Sequence, residues 1–267
     1  MSVDENILAE SSEDTLVGTL FADAYEIISV LGKGGMSVVY KARYVPLDQL
    51  VAVKVMHAHI AATPATLQRL KQEAKLCSTL SHPNIVRVLR LHISDDGYPF
   101  LVAELLEGRT IQQAIRQDGP FDEVRFQHVF SQVLDALEYA HSRGIIHRDI
   151  KPSNLMLTRQ GADGDVVEDV VKIVDFGISK MLSDSAAITQ GITQSNSGNI
   201  FGSPPYMSPE QCTGGRSDSR SDLYAVACVM YEALTGKQAF NGDTALDTMF
   251  QQVHDLPPSF AHAAPDR

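Results

Sequence analysis

Short apolar stretches of strand length come first along the chain, and longer helical patterns follow. Tyr25 to Leu31 predicts a strand, Val38 to Arg43 the next, and Val51-Ala52-Val53-Lys54-Val55 a third that alternates only loosely. Pro46-Leu47-Asp48-Gln49 supplies the turn before the third. Thr63 is placed to cap a helix that Pro64 starts, and Leu67, Leu70, Ala74 and Cys77 fall at helical spacing. Ser81-His82-Pro83-Asn84 ends that helix, and Ile85-Val86 enters another strand. After the turn Asp95-Asp96-Gly97-Tyr98-Pro99, Phe100 to Glu104 predicts one more. Phe126, Phe130, Val133, Leu137 and Ala140 then trace a long buried helix stopped by Gly144. Asp222 to Tyr231 is apolar nearly all round, the pattern of a buried helix. One more helix fits between Asp243 and Val253.

With 267 residues and 44% hydrophobic composition, the chain can bury one large core or two modest ones. No run approaches the ~18 apolar residues of a membrane span, and the start lacks the basic and apolar regions of a signal peptide. Cys77, Cys212 and Cys228 show no metal-binding or paired spacing, so reduced thiols and a cytoplasmic location are expected. The formal charge of −11 argues against nucleic acid as the main partner. Asp4, Glu5, Glu10, Glu13, Asp14 and Asp23 lie in the first 24 residues with no Lys or Arg beside them. Residues 1–24 are therefore expected to be a disordered acidic leader, which leaves about −5 on the rest.

Three polar stretches interrupt the pattern. His147-Arg148-Asp149-Ile150-Lys151-Pro152-Ser153-Asn154 gathers a carboxylate, an ammonium and an amide. The apolar run Val170 to Val174 leads directly into Asp175-Phe176-Gly177. Near the start, Gly32-Lys33-Gly34-Gly35-Met36-Ser37 lies between two predicted strands, whereas a dinucleotide fingerprint would open a helix. In this order the stretches resemble the glycine-rich loop, catalytic loop and metal-binding turn of the protein kinases. Gly202-Ser203-Pro204-Pro205-Tyr206-Met207-Ser208-Pro209-Glu210 resembles the end of the activation segment of serine/threonine kinases, in wording most like the bacterial members. Three departures are Ser37 for the third glycine, Ser203 for the usual Thr, and Ser208-Pro209-Glu210 in place of Ala-Pro-Glu.

The resemblance covers roughly Tyr25 to the end and implies an α+β, two-lobed fold. Its parts would be a small antiparallel-sheet N-lobe over 25–104, a hinge over 105–108, and a mainly helical C-lobe over 109–267. The family's last helices are expected to be missing. The chemistry explains the residue types. Asp149 can accept the proton of a substrate hydroxyl, Lys151 can offset charge on the phosphoryl group, and Asn154 and Asp175 can hold Mg2+. For ATP, the family pattern implies phosphate contacts from Gly32, Gly34 and Lys54, with Glu73 pairing Lys54. A solvent-facing Glu73 is the alternative. Adenine would bond the backbone at Glu104 and Leu106 between walls formed by Leu31, Val39, Ala52 and Met156; those four residues can equally be plain core. Protein substrates, regulation by autophosphorylation between Thr189 and Ser197, and a dimer for phosphorylation in trans are the implied partners and control. The alternative function is a pseudokinase scaffold that binds partners without turnover. The lengthened tip Gln160 to Asp165 of the hairpin before Asp175 reads as an acidic surface loop.

Overall fold

In a β-strand successive side chains point to opposite faces, and this alternation builds the first part of the molecule. Val38, Tyr40 and Ala42 face one way with Val51, Val53 and Val55, while Val39 and Lys41 face the other way with Ala52 and Lys54. The computed structural model describes residues 16–35, 37–57, 68, 72, 77–94, 97–160, 168–176 and 203–263. The chain divides into one unit of Met1–Ser78 and Arg87–Leu106 and a second of Thr79–Val86 and Glu107–Arg267.

In the first unit the strands are β1 (Leu20–Phe21), β2 (Tyr25–Gly34), β3 (Ser37–Tyr44), β4 (Gln49–Met56), β5 (Val88–Ile93) and β6 (Pro99–Glu104). They pair antiparallel in the order β1-β2-β3-β4-β6-β5. One face packs as a core of Ile27, Tyr40, Ala42, Val51, Val53, Phe100 and Val102. Gln68, Gln72 and Cys77 of the expected helix are helical; Glu73 lies outside the described residues.

Two expectations are corrected here. The leader does not run to residue 24: Leu20 and Phe21 pair with Glu26 and Tyr25, which gives this sheet six strands among the described residues. Phe21 is buried edge-on against Phe100, with ring centroids 5.0 Å apart, and Leu16 packs beside it. These two apolar side chains cover the end of the core face, which outweighs the acidic composition around them. The second correction concerns the N-lobe span 25–104. Thr79–Val86 belongs to the second unit, because Ile85 bridges Ile173 and the Val86 N–H donates to the Ile173 carbonyl at 2.9 Å.

The second unit has a three-stranded sheet in the order β7 (Gly108–Thr110), β8 (Leu155–Gln160), β9 (Glu168–Ile173). A Cβ at Gly108 would collide with the Leu157 carbonyl, so only glycine lets β7 approach β8. Helix α1 (Ile111–Asp118) starts with a capping box between Thr110 and Gln113. Helix α2 (Glu123–His141) is capped by Asp122, whose carboxylate accepts the Arg125 N–H at 2.8 Å, and buries Val129, Phe130, Val133, Ala136, Leu137 and Ala140. The short α3 (Pro209–Cys212) precedes α4 (Ser219–Thr235), which ends at the left-handed Gly236. Thr244 caps α5 (Ala245–His254), and a single turn, α6 (Phe260–Ala263), follows. The tip of the β8–β9 hairpin, residues 161–167, lies outside the described residues.

Candidate active site

Helix α2 delivers the loop that carries the candidate chemistry. After His141 the chain turns through Gly144 at φ +72°, and Ile145 and Ile150 are buried on either side of the polar residues. Arg148 adopts φ +67°, a left-handed conformation that costs a non-glycine residue about 1–2 kcal/mol. Asp222 on α4 holds it there. One carboxylate oxygen accepts the Arg148 N–H at 2.7 Å; the other accepts the His147 N–H at 2.8 Å and the His141 Nε2 proton at 2.7 Å. The Asp222 side chain has no exposed surface, so these three donors replace its hydration.

His147 is also fully buried, and its bonds fix its tautomer. Nδ1 accepts the Asp149 N–H at 3.2 Å, so Nε2 carries the proton and donates to the Val174 carbonyl at 2.9 Å. Its ring packs on Phe176 with centroids 4.7 Å apart. The imidazole thus ties the loop to the residues on either side of Asp175.

The predicted catalytic residues meet. Lys151 Nζ lies 2.8 Å from Asp149 Oδ2 and 3.2 Å from Ser203 Oγ. Asn154 Nδ2 donates to the Asp149 carbonyl at 2.8 Å and to Oδ2 at 3.3 Å. The Val174 N–H donates to the Asn154 carbonyl at 3.0 Å, which sets Asp175, at φ +63°, beside Asn154. Among the described residues no cluster of three or more His, Cys, Asp or Glu is disposed to hold a metal ion. The donors at hand are the Asp175 carboxylate and the Asn154 amide oxygen, the latter left over because the amide nitrogen is turned to Asp149. That sparse set suits magnesium, which keeps phosphate and water oxygens for most of its shell.

In the first unit Gly32 stands opposite Val39, Val39 opposite Lys54, and Lys54 opposite Leu101. Ala52, two residues from Lys54, shares its face, the one turned away from the core. Leu31 falls at an irregularity in β2 and is half exposed. Among the described residues a Cβ at Gly32 would meet nothing within 4 Å, and at Gly34 only the Ser37 carbonyl at 3.6 Å. Glu104 uses its own N–H and its carboxylate on the carbonyl and N–H of Arg87, at 3.0 and 2.9 Å. Leu106 follows β6 as half-buried coil. In the second unit Met156 lies on β8 opposite Thr110 and Lys172.

Residues 25–264 match the protein kinase domain family. The chain belongs to that family. Among its relatives, the serine/threonine-protein kinase pkn3 of Myxococcus xanthus is 37% identical over 95% of this chain and 45% of its own length. The serine/threonine-protein kinase PknB of Mycobacterium leprae (strain TN) is 37% identical over 90% of this chain and 37% of its own. The chain therefore spans less than half the length of these curated relatives. In structure it is similar to the kinase domain of Mycobacterium tuberculosis PknI, solved as a point mutant, with a TM-score of 0.67, 25% identity and coverage of 93% and 84% of the two chains. The bacterial serine/threonine type and the α+β kinase fold expected from the motifs are thus borne out.

Two contributors to this kinase site went unnoticed in the sequence. His141 lies 81 positions from Asp222, and Gln211, whose Nε2 donates to the Arg148 carbonyl at 3.0 Å, lies 63 positions from its partner. No local spacing flags either residue. The hydroxyl of Ser203, which stands where the family usually has Thr, bonds Lys151 alone among the described residues.

Proposed function

We propose that this domain transfers the γ-phosphoryl group of ATP to serine or threonine hydroxyls of protein substrates. One observation carries the reading. Lys151 and Asn154 hold Asp149 Oδ2, while Oδ1 has no partner among the described residues and can accept a hydroxyl proton. Lys151, shared between Asp149 and Ser203, places a cation where charge develops on the transferred group. Asp175 and Asn154 would hold Mg2+, which supplies charge neutralisation on the phosphates. Lys54, on the sheet face turned away from the core, is assigned to the α/β-phosphates, with Glu73 as its partner on the family pattern. Gly32 and Gly34 fit a phosphate-covering role because packing within their own unit does not demand glycine. Glu104 and Leu106 would present backbone groups to adenine, with Leu31, Val39 and Ala52 against its ring. Control by autophosphorylation between Thr189 and Ser197 belongs to the same reading and falls outside the described residues.

The test is incubation with labelled ATP, Mg2+ and a protein substrate, wild type against Asp149→Asn. We expect the variant to lose about 10²-fold or more of the transfer rate. Equal labelling by the two proteins would rule out Asp149 as the base.

A further inference from the structure

Arg148 sits one position before Asp149, and its two peptide groups are gripped by different elements. Its N–H is held by Asp222 on α4. Its carbonyl is held by Gln211 on α3, and the Gln211 side chain is itself fixed because Oε1 accepts the Ser208 N–H at 3.0 Å. The Arg148 carbonyl and the Asp149 N–H belong to one planar peptide. Its orientation sets ψ of Arg148 and constrains φ of Asp149, and so aims the carboxylate. The left-handed Arg148 opposes that orientation by about 1–2 kcal/mol, so the hydrogen bonds must hold it. The segment that carries Gln211 is anchored in turn. Tyr206 OH donates to Glu232 at 2.6 Å, and Gln252 Nε2 donates to the Pro204 carbonyl at 3.0 Å.

We propose that Gln211 is a positioning residue for Asp149, and that its amide nitrogen couples the seating of the 203–212 segment to the aim of the catalytic carboxylate. This rests on the kinase reading above. The competing role is a plain helix cap, in which only the Oε1 bond to the Ser208 N–H matters. Two substitutions separate the roles. Gln211→Glu keeps an acceptor for Ser208 and removes the donor to Arg148; Gln211→Met keeps the shape and removes both.

Three readouts are needed: steady-state kinetics with a peptide substrate, the thermal midpoint, and hydrogen exchange over residues 145–150. Positioning requires both variants to lose about tenfold or more in kcat, equivalent to about 1.4 kcal/mol. KM for ATP should stay within about twofold. Exchange at the Asp149 amide should rise in both, while Gln211→Glu keeps the wild-type midpoint. Wild-type kcat and exchange in Gln211→Glu, with only Gln211→Met impaired, would overturn the proposal in favour of the cap. A midpoint of Gln211→Glu as low as that of Gln211→Met, with faster exchange across residues 203–263, would also overturn it. If Gln211→Met does not fold, Gln211→Glu decides alone. Absence of transfer in the wild type would sink the kinase reading, while the exchange measurement would still report on the Gln211 bond.

Discussion

A carboxylate with no exposed surface is costly unless its lone pairs are engaged, and Asp222 meets that condition with three donors at 2.7–2.8 Å. Asp222→Asn keeps the shape and leaves one oxygen. With that oxygen toward His141 and the His147 N–H, the new NH2 faces the Arg148 N–H, donor against donor. Losing a charged, buried acceptor in this way should cost about 2–4 kcal/mol. Each kcal/mol corresponds to roughly 2–4 °C in a unit of this size, so a scanning thermal melt resolves it. An unchanged midpoint would show that the buried carboxylate does not hold the loop. Asp149, Lys151 and Asn154 were legible because their chemistry is contiguous in the chain. Asp222 showed in the sequence as a carboxylate opening an apolar helix, a costly place for a charge unless its lone pairs are engaged. His141 and Gln211 were silent because a histidine at a helix end and a glutamine after Pro-Glu mean nothing until the fold supplies their partners.

Periodicity located the long elements well, since α2 was expected through Phe126 to Ala140 and spans Glu123–His141. It missed β1, because two residues cannot show a period and the acids around them read as solvated chain. Nor could it show that β7, α1, α2 and β9 are laced by charge. Arg109 on β7 forms a two-pronged pair with Asp118 at the end of α1, Arg125 on α2 reaches Asp118 at 3.0 Å, and the same Arg125 bonds Asp169 on β9 at 2.7 Å. The Arg109 hydrogen bonds first, and Arg125 second, hold the Asp118 carboxyl down at about 2. A folded-state pKa below the ordinary 3.8 adds stability that is fully present above about pH 4 and fades as pH falls through 2. Asp118 is 37% exposed, so solvent screening limits the gain to about 1 kcal/mol or less. Asp118→Asn should therefore melt lower than wild type at pH 5–7, with the gap closing towards pH 2. A gap that stays constant across that range would count against this linkage.

The division into a strand-rich part and a helical part was legible from the kinase-like motifs and from the order of patterns. The return of Thr79–Val86 to the second unit was not, because it depends on a backbone bridge from Ile85 to Ile173. The three thiols report on the units separately: Cys77 is buried in the first, Cys228 is buried in α4 of the second, and Cys212 is partly exposed on α3. The thiolate is the species that alkylates, and burial pushes the Cys228 thiol up to about 12. At pH 8 only about one part in 10⁴ of Cys228 is thiolate, even before access is considered. Mild iodoacetamide treatment of the native protein should therefore add one group, at Cys212, as read by peptide mass analysis. Cys77 and Cys228 should react only as denaturant opens their own units, so their two rates measure the two openings one by one. Native labelling of Cys228 as fast as that of Cys212 would mean that the α4 core is open in solution, and the placement of Asp222 at the start of the same helix would fall with it.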